Sequence, residues 1–149
     1  MSIKLGVAPI AWSNDDMPEL GGETTLDTCL SEAKLAGFSG VETGGKFPKA
    51  LKELRPILDH HKISLCGGWY SGTLLDNNLE DEKLKVRSQM DLFIELKAPC
   101  LVYGETAGTI QNIRNAPLNS RRILTKEDFK IYEKKITKFF EWCEKEGMP

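Results

Sequence analysis

The feature that most constrains the fold is the fourfold alternation of a short apolar run with an amphipathic segment along the 149 residues. Alternation of this kind predicts parallel strands joined by right-handed helical crossovers, and in a (β/α)8 barrel such strands lie in the order 1-2-3-4 with the helices outside. The apolar runs predict four strands, at residues 3–9, 40–43, 63–67 and 100–103.

Residues that begin or interrupt helices refine this prediction. Thr24 and Asp27 have the spacing of a capping box at the start of the first helix, and residues 125–128 repeat that spacing before the last one. Pro56 lies within the second amphipathic segment, and proline is tolerated best in a first helical turn. We therefore expect a turn over residues 48–53 and then a helix whose first turn contains Pro56.

Two α/β architectures fit the alternation, a flavodoxin-like open sheet and a (β/α)8 barrel. The strands are short, and a polar or aromatic cluster follows each of them, where barrel enzymes place their sites. A complete barrel takes roughly 250 residues. The chain is therefore predicted to be one domain over residues 1–149 that supplies four of the eight βα units, a half-barrel ending before a fifth strand.

Composition narrows the class of function. The net charge of −2 does not favour nucleic-acid binding, and we expect no membrane segment and no signal peptide, hence a cytoplasmic protein. The adjacent His60 and His61 are expected in solvent, and no metal site is predicted from the spacing of histidines and cysteines. The four cysteines are expected to be reduced, mostly buried thiols: Cys29, Cys66, Cys100 and Cys143.

The stretch APIAWSNDDMPELGGE after the first predicted strand carries an indole, an amide and two acids. Asn14 is suited to bond a substrate hydroxyl or carbonyl, and Trp12 to form an apolar wall beneath a sugar-like ring. Asp15 and Asp16 are adjacent, so we do not expect both to face inward. The alternative is an ordered loop in which Asn14 and Asp15 cap the turn at Pro18.

Further candidates follow the other strands. Glu42 and Lys46 suit proton transfer or substrate binding, or else form a structural ion pair across the barrel mouth. Trp69 either contacts substrate or caps the barrel core together with Tyr70. Glu105 follows the fourth strand, a position where barrel enzymes often keep an acid.

Four segments together resemble the inosose dehydratase family of xylose-isomerase-like barrels, namely APIAWSNDDMPELGG at 8–22, VETGGKFP at 41–48, GGWYSG at 67–72 and GETAGTIQ at 104–111. The resemblance implies an enzyme of myo-inositol catabolism that eliminates water from 2-keto-myo-inositol to give a diketo product. It also implies a divalent metal, manganese or cobalt, that polarises the ketone.

The resemblance further implies how the site is divided. Trp12, Asn14, Lys46, Trp69 and Glu105 match family positions that would hold the ring. From the residues themselves we assign substrate binding to Trp12, Asn14, Glu42 and Trp69, and acid–base work to Lys46 and Glu105. Metal ligands in such barrels lie on strands five to eight, so they are expected to be absent from these 149 residues. The chain alone is then expected to be inactive and to self-associate through open barrel edges. Two alternatives stay open, a sugar isomerase or epimerase of the same superfamily and a non-catalytic association module.

Overall fold

The computed structural model describes residues 3–111 and 113–149, in which four parallel strands lie in the order β1-β2-β3-β4. The predicted strand order and half-barrel are thereby confirmed. Helices on one side of the sheet connect the strands. The elements are β1 (Gly6–Val7), α1 (Leu26–Leu35), β2 (Gly40–Thr43), α2 (Leu51–His61), β3 (Ser64–Gly72), α3 (Leu79–Glu95), β4 (Val102–Glu105) and α4 (Lys126–Lys145).

The core lies between the helices and one face of the sheet. Val41 of β2 and Leu65 of β3 are buried there against Leu30, Leu54 and other apolar side chains of the helices. Burial of each such side chain contributes about 1.5–3 kcal/mol, which makes this layer the main source of stability. The largest fully buried side chains include Phe93, Phe139, Leu30, Leu54, Leu74 and Met90.

The opposite face of the sheet is open. Leu5, Trp69 and Val102 are 59%, 53% and 38% exposed. Trp69 pairs in register with Val102, so the two side chains lie side by side on this face. Side chains alternate along a strand, which explains why one face is packed against helices while the other presents apolar groups to solvent.

Three strands have limits that differ from the prediction, and β4 is shifted by two residues to Val102–Glu105. β1 has only two residues, because Pro9 begins a short 3-10 turn over Pro9–Ala11 instead of ending a long strand. β3 continues to Gly72, so Trp69 lies within the strand rather than at its end. The extra length carries β3 alongside β4 from Trp69 to Gly72.

Of three predictions about where helices begin, two are wrong and one is confirmed. The cap of α1 is Thr25, whose side chain accepts a hydrogen bond from the Thr28 amide, so a capping box at Thr24 is wrong. Helix α2 begins at Leu51 and contains Pro56 in its sixth position, beyond the first turn. The burial of Leu54 and Leu58 offsets the roughly 3 kcal/mol cost of an internal proline. The predicted capping box of residues 125–128 is present in α4.

Adjacent histidines at the end of α2 have different surroundings. His60 is exposed, as expected. The side chain of His61 is only 8% exposed and its Nε2 lies 3.1 Å from Oδ1 of Asp27. The expectation of solvent is therefore wrong for His61, because the packing of α2 against α1 covers its ring.

The cysteines form no disulfide in the part of the chain that the structure describes. Cys29 and Cys143 are buried, whereas Cys66 and Cys100 are half-buried. Burial raises the pKa of the Cys143 thiol to about 11, which keeps it protonated at neutral pH. Among the helices of the described residues, none combines the length and the apolar character that crossing a membrane requires.

Candidate functional site

A cleft of about 760 Å³ lies at the carboxyl ends of the strands. Its walls come from the loop after β1, from β2 and β3, and from the loop after β4. Sites of parallel α/β proteins form at this end of the sheet. The polar and aromatic residues that line it include Asn14, Asp15, Asp16, Glu42, Thr43, Trp69, Ser71, Thr106, Thr109 and Gln111.

Glu42, Trp69 and Ser71 form one wall of the cleft because the strand register puts them on one face. Glu42 pairs with Gly67, and side chains two and four residues beyond that glycine point the same way. The indole Nε1 of Trp69 donates to Oγ of Ser71 at 2.9 Å. The carboxylate of Glu42 is half-buried, and no hydrogen bond to it occurs among residues 3–111 and 113–149. Within the described residues, the acceptor oxygens of Glu42 are therefore not used by protein groups.

The flat face of Trp69 depends on a glycine in the next strand. A Cβ at Gly104 would lie 2.0 Å from Cζ2 of the indole, a distance at which one group must move. The absence of a side chain there lets the ring lie across β4. The exposed ring then provides the kind of apolar platform against which a sugar-like ring packs.

Asn14 caps a turn and also lines the cleft. Its Oδ1 accepts hydrogen bonds from the amides of Asp16 and Met17, each at 2.9 Å, which orders the turn. The same side chain lines the cleft. Because the carbonyl oxygen is used for the turn, the amide nitrogen is the group that remains for a ligand.

Asp15 and Asp16 both line the cleft, contrary to expectation, and each is fixed by a different neighbour. Oδ2 of Asp15 accepts from the Gly45 amide at 2.8 Å, and Oδ2 of Asp16 accepts from Nε2 of Gln111 at 3.0 Å. The loop after β1 is thereby tied to the loops after β2 and β4. These ties hold three sides of the cleft in one arrangement.

Trp12 and Lys46 are not brought to the cleft. The indole of Trp12 donates to Glu32 of α1 at 2.6 Å. Nζ of Lys46 donates to the carbonyl oxygens of Gly21 at 3.2 Å, Gly22 at 2.7 Å and Thr24. Lys46 therefore closes the loop after β1 onto β2 and does not pair with Glu42.

Glu105 also binds protein groups. Its carboxylate accepts from the amides of Ala107 at 3.0 Å and Leu75 at 3.4 Å, and from the hydroxyl of Tyr103 at 3.1 Å. Burial raises the pKa of Tyr103 well above its usual range, and the nearby carboxylate of Glu105 adds to the effect. Glu105 thus holds the loop after β3 to the end of β4.

Glu82 is a buried acid that the sequence analysis missed. It is completely buried on α3 and accepts from the Tyr70 hydroxyl at 2.9 Å, from the Thr73 amide at 3.0 Å and from Oγ1 of Thr73 at 3.3 Å. Its acidic neighbours made the position look like a solvated first helical turn. The available signal was its spacing of four from Val86 and eight from Met90, which places it on the buried face.

Hydroxyl and amide groups on the cleft wall were missed as well. Ser71 could have been found from its spacing of two from Trp69 within an extended strand. Thr106, Thr109 and Gln111 belong to the GETAGTIQ segment, but only the loop after β4 decides which of them face the cleft.

Among the described residues, the cleft does not offer the converging ligand atoms that a divalent metal needs. Within residues 3–111 and 113–149, the single group of three potential metal ligands is Asp27, His60 and His61, and none of the three lines the cleft. A resident metal needs several converging ligand atoms. The cleft residues therefore do not fit the metal that the resemblance implies, and what they can do is bind and orient a polyhydroxylated molecule.

No family model matches the chain. It is 39% identical over 138 residues to the rhizopine catabolism protein MocC of Rhizobium meliloti, covering 92% of the chain and 42% of MocC. It is 35% identical over 147 residues to the inosose dehydratase of Geobacillus thermodenitrificans, covering 98% of the chain and 49% of that enzyme.

A sugar phosphate isomerase/epimerase from Parabacteroides distasonis has a similar structure, with a TM-score of 0.67 and 15% sequence identity. The match covers 99% of the chain and 50% of that protein, and at this identity it bears on the fold alone. The chain spans about half the length of the curated relatives it matches. The resemblance found in the sequence is confirmed as a similarity: over about half of their length the chain is similar to the inosose dehydratases and to MocC, and its four parallel βα units form a half-barrel.

Proposed function

We propose that the chain is the substrate-holding half of an inosose dehydratase-like hydro-lyase acting in the cytoplasm. The reaction would be the metal-assisted loss of water from 2-keto-myo-inositol, giving a diketo product. The observation that carries the proposal is the half-buried carboxylate of Glu42, which faces the cleft beside Trp69. The named relatives support the reaction class.

In the proposed complex the ring lies against Trp69. Its C–H face packs on the indole, and its hydroxyls donate to the oxygens of Glu42, since an ionised carboxylate only accepts. The amide nitrogen of Asn14 donates to a hydroxyl or carbonyl oxygen. Charge-assisted bonds of this type are about twice as strong as neutral ones, so Glu42 is the principal anchor.

Two predicted site residues take a different part in this proposal. Lys46 and Glu105 keep the loops around the cleft in place through the backbone groups that they bind. Because the cleft residues do not fit a metal, the part of the reaction proposed for this chain is to hold the substrate. The chain alone is expected to have no dehydratase activity with Mn²⁺ or Co²⁺ present.

Titration calorimetry with 2-keto-myo-inositol tests the binding role. We expect the chain to bind this ketone and not cyclohexanone, which has the ring and the carbonyl but no hydroxyls. Glu42→Gln should weaken binding about tenfold, because it loses an ionised acceptor. Glu53→Gln, a change at an exposed acid on α2, is the matched control. Equal binding by Glu42→Gln, or binding of cyclohexanone, would contradict the proposal.

An activity assay tests the remaining part. The absorbance of the diketo product should stay at background when the chain is incubated with substrate and Mn²⁺ or Co²⁺. Turnover by the chain alone would contradict the proposal, because it would show that these 149 residues contain a complete catalytic site. Size-exclusion chromatography of the same sample tests the expected self-association, since the open face of the sheet and its edges favour contact between copies.

A further inference from the structure

Helices α1 and α2 bring Asp27, His60 and His61 together at the surface. One ligand atom of each residue lies within 4.8 Å of the others. The three line a shallow cavity of about 300 Å³ with Leu26, Pro56 and Ile57. The two histidines of these 149 residues thus lie at one position.

His61 is already oriented as a ligand. Its Nδ1 lies 3.4 Å from Oγ of Ser31, and its Nε2 lies 3.1 Å from Oδ1 of Asp27. Ligand atoms in a tetrahedral zinc site, with bonds of about 2.0–2.1 Å, are separated by about 3.3 Å. The distance between Asp27 and His61 is therefore close to that of two ligands of one ion. Ser31 bonds the other ring nitrogen, as groups around metal-bound histidines commonly do.

His60 supplies the third ligand from the exposed side. Adjacent helical residues point about 100° apart, a geometry that does not favour a shared metal. In the structure the two imidazole centroids are nevertheless 5.0 Å apart and their planes are perpendicular. One ring nitrogen of His60 lies within 4.8 Å of the ligand atoms of Asp27 and His61, and the exposure of His60 leaves room for a water ligand.

We propose that Asp27, His60 and His61 form a transition-metal site that takes Zn²⁺ and connects α1 to α2. Two imidazoles and a carboxylate match the ligand preference of zinc, with nickel and copper as related binders. The site is separate from the cleft. His61 precedes the start of β3 by three residues, whereas the cleft is lined by Trp69 and Ser71 near the other end of that strand. Its effect is on the stability of the helix pair and not on the reaction.

The alternative is an ordinary ion pair between Asp27 and His61 with no metal. Titration of the 149-residue protein with ZnCl₂, followed by calorimetry, distinguishes the two. We expect one Zn²⁺ per chain and a rise in melting temperature with added zinc. His60→Ala should weaken binding at least tenfold. It removes an exposed side chain outside the ion pair, so folding is expected to be retained.

Two controls make the result specific. Asp59→Asn changes an exposed acid next to His60 but outside the ligand group, and it should bind zinc like the unaltered protein. In a proton NMR spectrum the two histidine ring signals should broaden together on addition of Co²⁺, because both rings contact the ion. No zinc binding, or undiminished binding by His60→Ala, would overturn the proposal. Binding lost only on changing Cys66 and Cys100 to serine would assign the metal to thiols and overturn it equally.

Discussion

The cleft wall and the bracing groups behind it both contain carboxylates, but these carboxylates have different partners. The cleft wall consists of Glu42, Trp69 and Ser71, whose side chains face open space at the strand ends. The bracing groups are Lys46, Glu82 and Glu105, a set whose charged atoms bind protein groups such as backbone amides and carbonyls.

This comparison shows that a charged residue near a strand end serves one of two purposes. Loops at the mouth of a barrel carry many unpaired backbone groups, and each needs a partner. A charged side chain within reach satisfies those groups first, since leaving one buried and unpaired costs about 1–3 kcal/mol. Glu42 has no such backbone partner among the described residues, because β2 and β3 already satisfy the backbone around it, and this is why we propose it as a ligand group.

The largest effect should follow from removing a buried bracing group. Glu82→Ala leaves the hydroxyl of Tyr70 and the amide of Thr73 without their acceptor. We expect a loss of about 3 kcal/mol in the free energy of unfolding, measured by urea denaturation. Glu82→Gln keeps one acceptor oxygen and should lose less. A loss below about 1 kcal/mol for the alanine variant would mean that the network contributes little to stability.

Raising the pH should test the buried groups without any substitution. The pKa of Cys143 is raised to about 11 by burial. Between pH 9 and 11 the unfolded chain releases this proton while the folded chain keeps it, so stability falls as pH rises, by at most about 1.4 kcal/mol per pH unit for this group. Cys143→Ala should flatten the slope of unfolding free energy against pH. An unchanged slope in that variant would show that other groups cause the decline.

Loosening the loop after β1 should have a moderate effect. Lys46→Met keeps the aliphatic stem but loses the bonds to the carbonyls of Gly21, Gly22 and Thr24. We expect a loss of about 1–2 kcal/mol, because Nζ is only partly screened from solvent, together with faster proteolysis of this loop. Lys49→Met changes an exposed lysine nearby and is the matched control. Equal proteolysis of the two variants would remove Lys46 from the bracing groups.

The smallest effect on stability is expected in the cleft wall. Trp69 is 53% exposed, so Trp69→Ala should change the free energy of unfolding by less than about 1 kcal/mol. It should nevertheless weaken binding of 2-keto-myo-inositol, because the platform for the ring is lost. Gly104→Ala tests the same surface, because the added Cβ would displace the indole of Trp69. A strong destabilisation by Trp69→Ala would move this residue from the cleft wall to the bracing groups.

Much of the fold was readable from the sequence. Apolar runs separated by amphipathic segments specify parallel strands with helical crossovers, because that arrangement buries the apolar strands against the apolar faces of the helices. The capping box of α4 was also predictable, since it depends on residues three apart in the chain. The short β1 and the long β3 were not, because their ends depend on partners in neighbouring strands.

The sequence alone shows which polar and aromatic residues follow each strand. What each of them contacts depends on the packing of the elements. Glu42 and Lys46 are four residues apart, yet one faces the cleft and the other binds carbonyls of the loop after β1. Asp27 and His61 meet only through the packing of α1 on α2. Hydrogen bonds form over about 3 Å between segments that are distant in the chain. A sequence pattern indicates which face of its own helix or strand a side chain lies on, but not which neighbouring element that face contacts.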